Sequence, residues 1–414
     1  MCNQNFNTMF GKPTIKMILK QKFDKKMMML NKRAIAGFAM LISIVPCLIH
    51  AQDDEHLTTT IKKHKDAVLS LSFSEKGDYL VSSAKDKKII ITSTKDWEMV
   101  KEYENYFPVN QIEFISSDDM LLTSGPDIKH VDFNNQALNL YSGNPTHLWS
   151  FDYSTTLRKI VAGSYDKKVR VWNIDSKEIL HKLEGHEKNA LAVAISSRFP
   201  YVVTGSLDRS IRIWDANNGE LKFIIERHTK NIYDVEFHPD GIHFLSASAD
   251  QSIRLCNAET GNVIKTYAGH EREVLQVKFA PDGEHFYSAS VDGTVRLWQT
   301  RTGKMIYSFV NHEGTVKCLA VHPENKYLAT GGEDNNIHVY EVSKKLFVIN
   351  RYYDEYEKMK ADNAIFAPRK KGESKDAYAA RQFEAKSYDD KWMDIYYDKY
   401  IKELKQTELT DKSQ

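Results

Sequence analysis

One pattern recurs in this chain at a spacing of 42 residues, and no other feature of the 414-residue sequence restricts the fold as strongly. The stretches GHEKNALAVAISSRFPYVVTGSLDRSIRIWD, RHTKNIYDVEFHPDGIHFLSASADQSIRLCN and GHEREVLQVKFAPDGEHFYSASVDGTVRLWQ align His186, His228 and His270, and set Asp208, Asp250 and Asp292 each 22 residues further on. His312 with Asp334 and His64 with Asp86 keep the same offset. Asp166 falls 42 before Asp208, with Asn144 where the histidine stands elsewhere, and a unit around Asp127 fills the remaining gap. Self-similarity at this period reads as one four-stranded propeller blade per repeat.

The strand grammar agrees. In the sixth repeat Leu275, Val277 and Phe279 alternate with Val274, Gln276 and Lys278, Pro281-Asp282-Gly283 turns the chain, HFYSAS returns, Val291-Asp292-Gly293 turns again, and TVRLW follows. KMIYSFV at 304–310 supplies a fourth, outer strand. Units of this kind begin near residues 68, 109, 147, 190, 232, 274 and 316, which makes seven blades. The GH at one end of the repeat and the W-D at the other resemble the WD-repeat family. The likeness is weakest in the second unit, which lacks the histidine and carries Phe133 at the tryptophan position. The outer strand of the last blade has two claimants, residues 56–63 and 345–350. The resemblance favours the first, because such rings close by lending an N-terminal strand to the final blade, which removes an exposed sheet edge. The expected fold is all-β, a seven-bladed propeller over 56–346 with a charged, aromatic-rich helical extension over 347–414.

Residues 1–51 read as an address. A basic stretch ending Asn31-Lys32-Arg33 precedes the apolar run AIAGFAMLISIVPCLIHA, the layout of a secretory signal peptide cleaved after Ala51, with Met27, Met28 or Met29 as alternative starts. Removing it leaves 49 basic against 55 acidic residues, a balance that argues against general nucleic-acid binding. It also leaves no segment for stable membrane insertion. Cys256 and Cys318 then remain, in strands of non-neighbouring blades, where a disulfide is not expected.

Ser, His and Asp recur in almost every repeat, which invites a hydrolase reading, but an active site is assembled once whereas a structural device is copied with the blade. The resemblance implies that the GH histidine, a strand hydroxyl, the turn aspartate and the tryptophan form a buried network: His186, Asp208 and Trp214 in one blade, His270, Asp292 and Trp298 in another, with Ser206 and Ser290 as hydroxyl partners. Arg170, Arg212, Arg254 and Arg296, four residues after each turn aspartate, could form a basic ring, but the resemblance implies that they pack between blades. No histidine pair has metal-ligand spacing on a helix and no cysteine accompanies them, so no metal and no cofactor is expected. Asp240-Gly241 and Asp282-Gly283 read as hairpin turns and not calcium loops. The repeat alignment brings no carboxylates or histidines from several blades onto the axis.

Two residues past the histidine stand Lys188, Lys230 and Arg272, in consecutive blades, a basic arc in a net-acidic chain that suits an acidic partner segment. The residue before each turn aspartate contacts partners in the resembled family; here Lys85, Tyr165, Leu207, Ala249, Val291 and Glu333 occupy that place. In the extension, Ser374 caps a helix from Lys375 after a Pro368–Gly372 breaker, and Tyr388, Trp392, Ile395, Tyr396 and Tyr400 fall on one face. That stripe, with Trp392 and Tyr396 at its centre, docks on the ring or on a partner. Together these features read as an exported, periplasmic, non-enzymatic scaffold of a bacterial envelope whose partners are proteins. The competing readings are a propeller hydrolase, or a ligand sensor, with its site at the mouth of the central channel.

Overall fold

The computed structural model describes residues 56–342 throughout, and beyond them parts of 346–403 that include all of 391–400. The expected leader, the Pro368–Gly372 breaker and the helix start at Lys375 lie outside the described residues. Among the described residues, twenty-eight strands build seven antiparallel four-stranded sheets. Blades 1 to 6 run Val68–Glu104, Ile112–Tyr141, Leu148–Leu183, Ala190–Ile225, Ile232–Ala268 and Val274–Phe309, each with its strands in chain order from the axis outward. Blade 7 takes three strands from Val316–Glu341 and its outermost from Leu57–Ile61, which pairs Thr60 with His338 and Ile61 with Ile337. The N-terminal claimant therefore closes the ring. Leu346 and Phe347, from the other claimant, are helical.

Small residues let the blades approach. Three positions before the turn aspartate stand Ser83, Gly163, Gly205, Ala247, Ala289 and Gly331. A Cβ on Gly205 would lie 2.5 Å from Ile232 Cγ2 of the next blade, and one on Gly331 would lie 2.6 Å from Val68 Cγ1, so any larger side chain there pushes neighbouring sheets apart. Cys256 and Cys318 are buried free thiols. Burial pushes Cys256 up to about 12 and Cys318 higher still, so neither is reactive.

The innermost strands depart from simple alternation. A β-bulge near the start of each one except blade 2's places, for example, both Val274 and Val277 in the core and turns Gln276 and Lys278 toward the axis.

The extension packs on the ring. Leu346, Phe347, Tyr352, Trp392, Met393 and Tyr400 share one core cluster with Tyr287, Leu297, Phe309, Leu328 and Tyr340 of blades 6 and 7. The buried face of the helix is one step round from the expected stripe: Met393 and Tyr397 join Trp392, Tyr396 and Tyr400, while Ile395 is 66% exposed and Tyr388 44%. Tyr400 anchors the contact by donating its hydroxyl proton to Nε2 of the fully buried His285 at 2.7 Å; Nδ1–H of that ring donates to Asp282 at 2.8 Å.

Candidate functional site

Five of the seven blades display their loops from a polar frame. In blade 4, His186 Nδ1–H donates to Asp208 Oδ2 at 2.9 Å, Thr204 donates its hydroxyl to His186 Nε2 at 2.8 Å, and Trp214 Nε1–H donates to Thr204 Oγ1 at 2.9 Å. Blade 6 repeats this with His270, Asp292, Ser288 and Trp298 at 2.7 to 2.8 Å. The hydroxyl partners are thus Thr204 and Ser288, not Ser206 and Ser290. Residues two apart face the same side of a strand, but only the inner one of each pair lies between imidazole and indole. Ser206 and Ser290 instead accept the N–H of Asp208 and Asp292 and donate to carbonyls of the loop after the histidine. His–hydroxyl–Asp groups also stand in blades 1, 5 and 7, at His64/Ser82/Asp86, His228/Ser246/Asp250 and His312/Thr330/Asp334. In blade 3, Asn144 does not reach Asp166, and Arg170 takes the carboxylate with both Nη atoms.

These aspartates sit well below the usual carboxylate range. Burial alone would raise Asp208, but His186, Ser210 and the backbone N–H groups of Ser210 and Glu187 outweigh it. Asp250, Asp292 and Asp334 follow for the same reasons. Burial dominates on the histidine side and lowers His64, His270 and His312 despite their carboxylate partners. A neutral imidazole donating to an ionised aspartate satisfies both inside the protein. The strand arginines lie under the GH loops of their own blades, not between blades: a Cβ on Gly185 would meet Arg212 Nη1 at 2.4 Å, and one on Gly269 would meet Arg296 Nη1 at 2.8 Å.

Lys188, Lys230 and Arg272 are exposed, and among the described residues no ion pair involves their side chains. Their backbone carbonyls accept from Ser206, Ser248 and Ser290, which bind the turn aspartates, so the three stand at equivalent points on the turn-aspartate face. Lys85, Val291 and Glu333 line the mouth of the central channel, where Glu333 pairs with Lys317 at 2.9 Å. Tyr165 is exposed and meets Trp149 edge to face at 6.0 Å; Leu207 is half-buried and Ala249 buried. Trp149 is itself exposed, and Tyr106, strongly exposed, meets Phe107 edge to face at 4.7 Å. Sequence reasoning passed over both, although each departs from the repeat consensus. Trp392 is buried in the ring's own core cluster and stacks on Tyr396 at 3.8 Å, so the pair braces the ring and does not stand free for a partner.

The channel corrects a second expectation. Glu113, Asp152, Asp234 and Glu236, from three blades, converge on a lumen of about 540 Å³ with Lys278 among them. Most of these groups hold blades together. Asp152 Oδ2 accepts Ile195 N–H at 2.7 Å and Asp234 Oδ2 accepts Val277 N–H at 2.9 Å. The Gln276 and Gln111 amide oxygens accept Leu319 and Phe151 N–H, and Ser70 accepts Ile112 N–H, so inner strands are clipped to their neighbours around much of the ring. Lys278 pairs with Glu236 at 2.9 Å and is held above the ordinary lysine range by Glu236, Glu113 and Asp234 against the pull of burial. Burial raises Glu113 and Asp152, and takes Asp234 to about 7.

Six stretches, 55–93, 135–173, 177–215, 219–257, 261–299 and 303–341, match the family described as WD domain, G-beta repeat, and together they cover more than half of the chain. The chain belongs to the WD40 family. Each WD40 match spans one outer strand and the three inner strands of the next blade, the register that ring closure by Leu57–Ile61 requires. The unmatched stretch holds the inner strands of blade 2, where the histidine is missing. Among curated proteins the chain is similar to the WD repeat-containing protein 55 homolog of Drosophila willistoni, 28% identical over 171 residues, which is 40% of this chain and 33% of that protein. The match therefore spans about a third of that relative.

Proposed function

We propose that this WD40 propeller is a non-enzymatic scaffold, exported to the periplasmic side of a bacterial envelope, that holds protein partners on its turn-aspartate face. The observation that carries the reading is the unpaired basic arc of Lys188, Lys230 and Arg272 on equivalent loops of a rigid ring, in a protein that is net acidic once its leader is removed. The ring needs no motion to bind: hydrogen-bonded frames fix the loops, and a preorganised surface loses little entropy when a partner docks. An acidic segment would meet the arc, and Tyr165 and Trp149 of the adjoining blade 3 would supply apolar anchors. The Ser, His and Asp residues are spent inside the blades, which leaves no exposed nucleophile beside a base in those networks.

The test is a bait comparison in the native host, wild type against Lys188→Glu/Lys230→Glu/Arg272→Glu. Partners should be lost with an unchanged melting curve; equal recovery of partners rejects the arc. Export is read separately, by N-terminal sequencing of the mature protein, which should begin at Gln52. The channel supports a second reading, a site for a small cationic ligand, because carboxylates from three blades line it. Calcium-dependent thermal stabilisation that Glu113→Gln abolishes would favour this reading over the scaffold.

A further inference from the structure

Blade 7 departs from blades 3 to 6 at one position. Four residues after the turn aspartate those blades carry Arg170, Arg212, Arg254 and Arg296, and blade 7 carries His338. His338 is only 5% exposed, and its Nδ1 lies 2.9 Å from Thr60 Oγ1 on the ring-closing strand. Its Nε2 is buried with no hydrogen-bond partner among the described residues, and faces Asp334 Oδ2 at 3.6 Å, beyond hydrogen-bonding length. Asp334 in turn lies 3.0 Å from Nδ1 of His312, and the two imidazoles meet edge to face with centroids 4.4 Å apart. One ligand atom from each of the three residues falls within 4.8 Å of the other two.

We propose that His312, Asp334 and His338 form a binding site for a divalent transition-metal ion of the zinc type. Two imidazole nitrogens and one carboxylate oxygen are the donor set such ions take, and metal–ligand bonds of about 2 Å in a tetrahedron hold ligand atoms roughly 3.3 Å apart. The observed 3.0 and 3.6 Å bracket that separation. In the tautomer whose Nδ1–H donates to Thr60, the Nε2 lone pair of His338 faces a carboxylate, an arrangement that a cation between them satisfies. His312 needs no net change of protonation. Its proton moves from Nδ1 to Nε2, Nε2–H then donates to Thr330 Oγ1, and Thr330 turns its own hydroxyl to donate a hydrogen bond to the His338 carbonyl, which lies 3.4 Å away. A fourth position is left for water. Because Thr60 belongs to the closing strand, an ion here would latch the seam of the ring.

The experiment is calorimetric titration of zinc into the metal-stripped full chain, with melting curves in zinc and in chelator. One saturable equivalent per chain and a raised melting temperature are expected. Both should vanish in His338→Arg, which restores the residue of blades 3 to 6, and in the neutral variant His338→Gln, which serves if the arginine does not fit. His243→Gln, which dismantles the separate His238/Asp240/His243 group, should leave binding intact. Absence of saturable binding, binding that survives both His338 substitutions, or binding lost in His243→Gln overturns the proposal. So does stabilisation by mild acid with none by zinc, which would make a proton the missing cation.

Discussion

Replacing Tyr400 by Phe tests whether the extension braces the ring. Phenylalanine keeps the ring against Phe347 and His285 and removes one oxygen, so the change isolates a hydrogen bond from packing. That oxygen is the donor to Nε2 of His285, whose other nitrogen is committed to Asp282, and it also accepts Gln299 Nε2–H at 3.3 Å. Because His285 is fully buried, its Nε2 finds no water in exchange. The cost of a stranded buried polar atom is about 1–3 kcal/mol, and in a domain of this size the melting temperature falls by roughly 2 °C for each kcal/mol. Chemical unfolding followed by tryptophan fluorescence should therefore show a lower midpoint at unchanged slope. An unchanged midpoint would refute the docking energetics.

Ser288→Ala strands both His270 Nε2 and Trp298 Nε1–H and should cost about 2–4 kcal/mol by denaturant unfolding; a loss no larger than that of a surface serine would contradict the blade network. Lys278→Met leaves the channel carboxylates without their cation and should destabilise the ring at pH 8 by about 1–3 kcal/mol, less than for a dry pair because the lumen is open to water, with recovery as pH falls and the carboxyls protonate. Asp234 acts in the same direction in the wild type. Its folded pKa of about 7 is raised above the ordinary 3.8, so its contribution is fully present below 3.8 and lost as pH rises through 7, and Asp234→Asn should flatten that fall. The turn aspartates have the opposite sign. Asp208, Asp250, Asp292 and Asp334 are depressed, so their contribution is present above about 4 and lost as pH falls further, while the lowered His64, His270 and His312 contribute above 6.5 and lose it on acidification. An acid titration should steepen below pH 4; a flat profile from pH 5 to 2 would contradict these assignments.

What was legible in the sequence is what the repeat copies. The constant offset from His186 to Asp208 and its counterparts located the blades, and the early strand at 56–63 located the closure. Details that differ from blade to blade were not legible. Choosing between Thr204 and Ser206 needs the position of the Trp214 indole across the sheet, which strand periodicity does not supply. Asp152 and Glu236 share one point of the repeat, with Lys278 one period further and Asp234 two residues before Glu236, but the residue type at that point changes from blade to blade and its aim at the axis comes from ring geometry and the inner-strand bulges. The helix face was misplaced by one residue because Ile395 is as apolar as Met393, and only the shape of the groove between blades 6 and 7 decides which is covered. His338 became visible as a site residue only when its neighbours Thr60 and His312, distant in sequence, were placed around it.

The central claim is that the ring works by holding another protein. The most direct measurement is the native mass of the tagged protein released from its own cells after gentle crosslinking, with the components identified by mass spectrometry. The scaffold account predicts a defined heteromeric complex at fixed stoichiometry that the triple charge reversal dissolves. A monomer with no protein partner, in wild type and variant alike, would contradict it.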